Sequence, residues 1–135
     1  MITLAQFRGD WRLLRRIADA NAGQDGAFEG VARFVPQGDG LLYHECGELR
    51  LGMAAPMRAE RSYLWREAAG RIVVQFDDGR PFHSFDGAVA AADHLCGEDL
   101  YQVHYDFADW PDWRATWRVR GPRKDYEMVS LYSPL

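Results

Sequence analysis

Residues 113–121, "WRATWRVRG", set Trp113, Ala115, Trp117 and Val119 against Arg114, Thr116, Arg118 and Arg120. Alternation of apolar and charged residues at period two is the pattern of a β-strand with one face on a core and the other in water. The same period recurs on both sides of this stretch. Upstream, "DLYQVHYDF" (99–107) places Tyr101, Val103, Tyr105 and Phe107 opposite Leu100, Gln102, His104 and Asp106. Downstream, "DYEMVSLYS" (125–133) is rich in residues that suit strands.

Further toward the N-terminus, "AFEGVARFV" carries Phe28, Ala32 and Phe34 on one face. "GLLYHECGELRL" follows with Leu41, Tyr43, Glu45, Leu49 and Leu51 opposite His44, Glu48 and Arg50. In "MRAERSYLWRE", Met57, Ala59, Arg61, Tyr63 and Trp65 fall together, and "GRIVVQFDDG" aligns Ile72, Val74 and Phe76 before the short run "PFHSF". Seven or eight strands joined by turn signals such as "PQGDG" and "DDGR" predict an all-β protein with a meandering antiparallel sheet. So many strands must split into two layers or close on themselves, and a closed barrel of about eight strands leaves room for one small ligand. The expected fold is an antiparallel up-and-down β-barrel.

Two segments read as helical. "DGAVAAADHLCG" is Ala-rich and begins at Asp86, an N-cap residue type, which predicts one short helix near residues 86–96 at a barrel mouth. Leu4, Phe7, Trp11 and Leu14 fall at helical spacing and allow a short N-terminal helix, whereas alternation over Trp11, Leu13 and Ile17 argues for strand. A chain of 135 residues without repeats or linkers fits a single domain over 1–135.

Composition bounds the function. At 47% hydrophobic and 13% aromatic residues, Trp, Tyr and Phe must supply much of the buried area. A net charge of −4 repels a phosphate backbone and argues against nucleic acid as partner. The start, "MITLAQFRGDW", lacks the pattern of a signal peptide, and no apolar run approaches the ~20 residues of a spanning helix, so a cytoplasmic protein without membrane insertion is expected. Cys46 and Cys96 are then expected as free thiols.

The triplet Gly9-Asp10-Trp11 resembles the Gly-X-Trp signature of lipocalins and other calycin barrels. Read in order, "LLYHECGEL", "ERSYLWRE", "VVQFDDGRPFHSF", "HLCGEDLYQVHYDF" and "WRVRGPRKDYEMVSLY" resemble a functionally uncharacterised family of small bacterial and fungal lipocalin-like proteins across nearly the full length. The resemblance implies the barrel and carries no established activity. It also implies that Trp11 closes one barrel end, with Arg123 or Lys124 as the cation lying across the indole. Intracellular members of the broad calycin class include binders of haem and of fatty acids.

If the apolar faces point inward, Glu45, Arg61 and Tyr63 point inward with them. Buried charges need partners, so Glu45 and Arg61 should pair with one another or with a ligand. The leading expectation is an intracellular binding protein for a small, largely apolar, anionic ligand. Arg61 and Arg80 meet the charge, Glu45 orients Arg61, and Tyr43, Tyr63, Trp65, His83, Tyr101, Trp117 and Tyr126 line the cavity. The alternative is an isomerase- or hydrolase-type enzyme in which His83 works with Tyr101 or Asp99 as acid and base. A barrel filled by its own side chains and used for protein contacts is a third possibility, and the oligomer expected is a monomer or a homodimer.

Residue types and spacing bear on zinc and haem. His94, Cys96 and Asp99 offer nitrogen, sulfur and oxygen donors, but their spacing matches no zinc motif. Of the four histidines, His44 and His104 fall on solvent faces, leaving His83 or His94 as an axial ligand for haem. Neither cofactor is expected.

Overall fold

The protein is seen in a computed structural model that describes residues 2–87 and 90–135. Ten strands follow in chain order: β1 (Gly9–Asp19), β2 (Gln24–Gln37), β3 (Gly40–Leu51), β4 (Met57–Ala68), β5 (Arg71–Phe76), β6 (Pro81–Phe85), β7 (Ala91–Cys96), β8 (Asp99–Asp106), β9 (Trp113–Gly121) and β10 (Lys124–Pro134). They form one antiparallel sheet in the order β6-β5-β4-β3-β2-β1-β10-β9-β8-β7. The pairing of β1 with β10 joins the two halves of the meander, and the barrel is nearly closed. Among the described residues no ladder joins β6 to β7, and side chains fill the seam: the Phe82 ring on β6 lies 5.2 Å from that of His94 on β7.

A sheet curls this tightly only where strands can approach closely. Gly30 on β2 and Gly47 on β3 face each other across the ladder, and a Cβ at either would stand within 2.3 Å of a carbonyl oxygen of the other strand. Glycine at both positions lets the barrel bend there.

The two ends differ. A 3₁₀ turn at Leu4–Phe7 packs under the end where β1 begins, and Phe7 is fully buried. Its ring touches those of Phe34, Trp65, Phe107, Trp110 and Trp113 at centroid separations of 5.2–5.8 Å. The Trp11 indole Nε1 donates to the Phe7 carbonyl at 2.8 Å, and the Leu4 amide donates to Glu67 at 2.7 Å, so the turn is held to the barrel wall by hydrogen bonds as well as by rings. The opposite end, carrying the turns at 20–23, 52–56, 77–80, 97–98 and 122–123, is the mouth.

Three expectations are corrected. The Ala-rich segment is not a helix: Ala91–Cys96 is strand β7, paired with β8 from Ala91↔His104 to Cys96↔Asp99, while residues 88 and 89 lie outside the described residues. Hairpin pairing through the Gly97 turn, whose φ is +61°, overrides the helix preference of alanine. The N-terminal helix is one 3₁₀ turn, and the alternating run from Trp11 to Ile17 belongs to β1. The cation expected across Trp11 is absent among the described residues. Lys124 begins β10 at the mouth, the far end of the strand from Trp11, and its ammonium lies over the Tyr101 ring at 5.4 Å, while Arg123 is exposed in the adjoining turn. Among the described residues no helix is long and apolar enough to cross a membrane.

Candidate ligand-binding site

Strand parity carries a polar cluster into the barrel. Glu45 on β3 is buried, with Arg61 of β4 as its cross-strand neighbour and Tyr43 two residues before it on the same face. From β1, Arg15 reaches across β2, where Ala32 leaves space beside Glu45, and grips the carboxylate at both oxygens. The Arg15 Nη1–Oε2 distance is 2.7 Å and the Nη2–Oε1 distance 3.0 Å, a bidentate pair, and Arg15 Nε donates to Ser130 Oγ at 2.7 Å. Tyr43 donates to Glu45 Oε1 at 2.6 Å and shares a 2.8 Å hydrogen bond with the Tyr132 hydroxyl.

Arg61 is the second cation on this one carboxylate. Its Nε stands 3.2 Å from Glu45 Oε2, its guanidinium lies 5.8 Å from the Tyr63 ring centroid, and its side chain is 41% exposed at the mouth. Two guanidiniums against one carboxylate leave one positive charge in excess in the wall. The two arginines outweigh desolvation and hold Glu45 down at about 2, so the charges are fixed at any physiological pH.

The cluster divides the interior. On one side is a chamber of about 80 Å³, walled by Tyr63, Trp65, Phe82, His83, Tyr101, Tyr105, Trp113, Trp117 and Tyr126 among others. On the other is a hollow of about 200 Å³ against Ile17, Phe28, Leu49 and Ala59. Arg15, Glu45, Arg61 and Met128 border both.

His83 reaches the chamber through an irregularity in β6. The β5–β6 register shifts between Val74↔His83 and Gln75↔Pro81, leaving Phe82 as an extra residue, so Phe82 and His83 are both buried although adjacent. A bulge commonly re-aims a side chain in this way. His83 Nε2 is 2.9 Å from the Tyr105 hydroxyl, while His83 Nδ1 and Trp113 Nε1 are buried without a partner among the described residues. Burial lowers His83 to about 3, so the ring is neutral. Each unsatisfied buried donor or acceptor costs about 1–3 kcal/mol.

Of the residues expected at the site, Tyr43, Glu45, Arg61, Tyr63, Trp65, His83, Tyr101, Trp117 and Tyr126 all line the chamber. Arg80 does not: it sits in the turn after β5, 75% exposed, with Nε 2.7 Å from Asp78 and its guanidinium 5.5 Å from the Phe76 ring centroid. Nor do His83, Asp99 and Tyr101 form one hydrogen-bonded group. His83 engages Tyr105, whereas Lys124 Nζ donates to Tyr101 at 2.8 Å and to Asp99 at 3.1 Å. His94 stands among Phe76, Phe82 and Tyr101, and Cys96 is exposed at the β7–β8 turn. No group of three metal-ligating side chains gathers among the described residues.

Residues 7–134 match the model of a family of unknown function, DUF6314. The chain belongs to this family. No curated protein matches. Among solved structures, the S-type phycobiliprotein lyase CPES from Guillardia theta superposes with a TM-score of 0.62 at 9% identity, covering 96% of this chain and 87% of that one. That likeness shows that this DUF6314 chain shares the lyase's barrel fold.

The chief residue missed in this family member is Arg15. Its parity with Trp11, Leu13 and Ile17 is a sufficient signal, but it is embedded in "RLLRR", where neighbouring arginines suggest a solvated charge run. Tyr105 and Tyr132 also line the chamber, and the period-two pattern shows Tyr105 on an apolar face without showing the partner of its hydroxyl.

Proposed function

We propose that this barrel binds a small carboxylate, or a like anion, whose apolar body packs against aromatic side chains. One observation carries the reading: Arg61 is the surplus cation on an already bidentate Arg15–Glu45 pair, half-open at the mouth on the border of both hollows. Arg15 is consumed by Glu45 and Ser130, so its role is to fix Glu45. Glu45 in turn holds Arg61 by Nε, and among the described residues no hydrogen bond uses the Arg61 terminal nitrogens. A planar donor edge presented at the mouth suits a carboxylate.

Size refines the reading. Pockets for drug-sized ligands span roughly 300–1,000 Å³. A chamber of about 80 Å³ admits only a compact group, with the hollow of about 200 Å³ beyond Arg61 and Met128 available to the remainder. The shared fold with a phycobiliprotein lyase supports a small-molecule role for this architecture. Acid–base chemistry by His83 with Asp99 or Tyr101 has less support, because the neutral ring is bonded to Tyr105 and the other two residues are bonded to Lys124.

The test is native mass spectrometry of protein purified gently from cells, comparing wild type with Arg61→Ala. The reading expects a non-covalent adduct on the wild type, absent from the variant, with melting temperatures within a few degrees of each other once the ligand is stripped. An adduct retained at equal occupancy by Arg61→Ala contradicts it.

A further inference from the structure

Among the described residues, two buried nitrogens of chamber-lining side chains have no hydrogen-bond partner. Tyr105 is buried, and its hydroxyl has His83 Nε2 as its hydrogen-bond partner. If Nε2 carried the proton, both the Tyr105 hydroxyl hydrogen and the His83 Nδ1 lone pair would be left over. If Tyr105 donates, only one group is left over, so the network assigns the proton of the neutral ring to Nδ1. His83 Nδ1–H is then a buried donor without an acceptor. Trp113 Nε1–H, which can only donate, is in the same condition. Both side chains line the chamber, His83 is 8% exposed and Trp113 3%. Trp113 begins β9 at the closed end, below the level of Arg61, and stacks on Tyr132 at 3.7 Å, which fixes its plane.

We infer that the inner end of the chamber reads an acceptor oxygen, and that the ligand is therefore a carboxylate carrying a second, uncharged acceptor such as a carbonyl. The inference rests on the carboxylate reading of Arg61 and adds the other end of the molecule. The anion stays at the mouth with Arg61, a short apolar span passes the rings, and the carbonyl oxygen takes the N–H groups of His83 and Trp113. The two unpaired groups at that end are both N–H donors, so the site favours a carbonyl, which only accepts, over an alcohol. A site built to hydrogen-bond one group rejects the analogue that lacks it, because its buried donors stay unpaired.

Matched probe acids test this: pentanoate against 4-oxopentanoate, and hexanoate against 5-oxohexanoate, titrated into the full chain by tryptophan fluorescence and by ¹H–¹⁵N spectra of the indole groups. At least one oxo acid should bind about tenfold tighter than its plain partner in the wild type, the discrimination of one or two net hydrogen bonds. That advantage should fall below about threefold in Trp113→Phe and in His83→Phe, since one bond is lost in each. Arg61→Ala should weaken both members of a pair alike. The Trp113 indole signal should move with the oxo acid and stay in place with the plain one, a readout that needs no variant. Equal binding of the paired acids in the wild type, or an oxo advantage that survives both aromatic replacements, overturns the inference while leaving the Arg61 reading intact. Failure of every probe acid to bind overturns both.

Discussion

The closed end and the mouth are built from the same strands but hold together by different physics. Below, Phe7, Trp11, Trp110 and Trp113 meet ring to ring, and hydrogen bonds from Trp11 to Phe7 and from Leu4 to Glu67 hold the turn that plugs the end. Above, Arg15, Glu45 and Arg61 stand inside the barrel with tyrosine hydroxyls around them. Aromatic packing lets the closed end stand alone, whereas ionic groups in a barrel interior are a poor source of net stability compared with apolar residues of like volume. The lower half keeps the barrel shut, and the upper half keeps charges positioned.

Substitutions at the two ends should separate these roles. Phe7→Ala removes a fully buried ring at the plug and should lower unfolding free energy in urea by about 3–5 kcal/mol. Glu45→Ala strands the buried Arg15 and should lose a similar amount, about 3–5 kcal/mol. The double replacement Arg15→Met with Glu45→Leu should stand closer to the wild type than either single change does, because no buried charge is left alone, yet it should weaken probe carboxylates, since Arg61 loses the contact that holds it. If the double variant is as unstable as Glu45→Ala, the ion pair belongs to the fold rather than to a site.

Acid should loosen the barrel in two windows. His83 has its folded value depressed from 6.5 to about 3, so the unfolded chain takes up its proton first, and stability falls as pH drops from 6.5 toward 3. By pH 5 that single group accounts for about 2 kcal/mol, and urea titrations of His83→Phe should show a shallower decline between pH 7 and 5. Glu45, depressed from 4.5 to about 2, contributes stability that is complete above 4.5 and drains as pH falls through 2. Smaller effects follow at exposed or singly bonded groups. Trp11→Phe, which deletes the 2.8 Å bond to Phe7, should lose about 1 kcal/mol. Arg61→Ala should change stability by less than about 1 kcal/mol, its side chain being 41% exposed, while weakening probe carboxylates at least tenfold.

Period two was enough to bring Tyr43, Glu45, Arg61, Tyr63, Trp65, Tyr101 and Trp117 to one wall, because a strand has no freedom to break that alternation without a bulge. Where a bulge does occur, at Phe82, period two does not assign the face of His83, and only the register against Val74 resolves it. Arg80 was misplaced because parity does not run through the turn at Gly79, whose φ is +89°. Strand β7 was hidden by local helix preference, which a hairpin partner overrides and a single sequence does not display. Arg15 shows the converse: its face was legible, but its partner Glu45 lies thirty positions on, and only tertiary pairing reveals that the inward charge is satisfied.

The most direct test of the Arg61 account is a crystal structure of the protein taken from cells with minimal washing. The account predicts electron density for an anionic group on the Arg61 terminal nitrogens, with Arg15 still clamped on Glu45 and the density running into the aromatic chamber. Arg61 turned away to a surface carboxylate, with only water in both hollows, would contradict it.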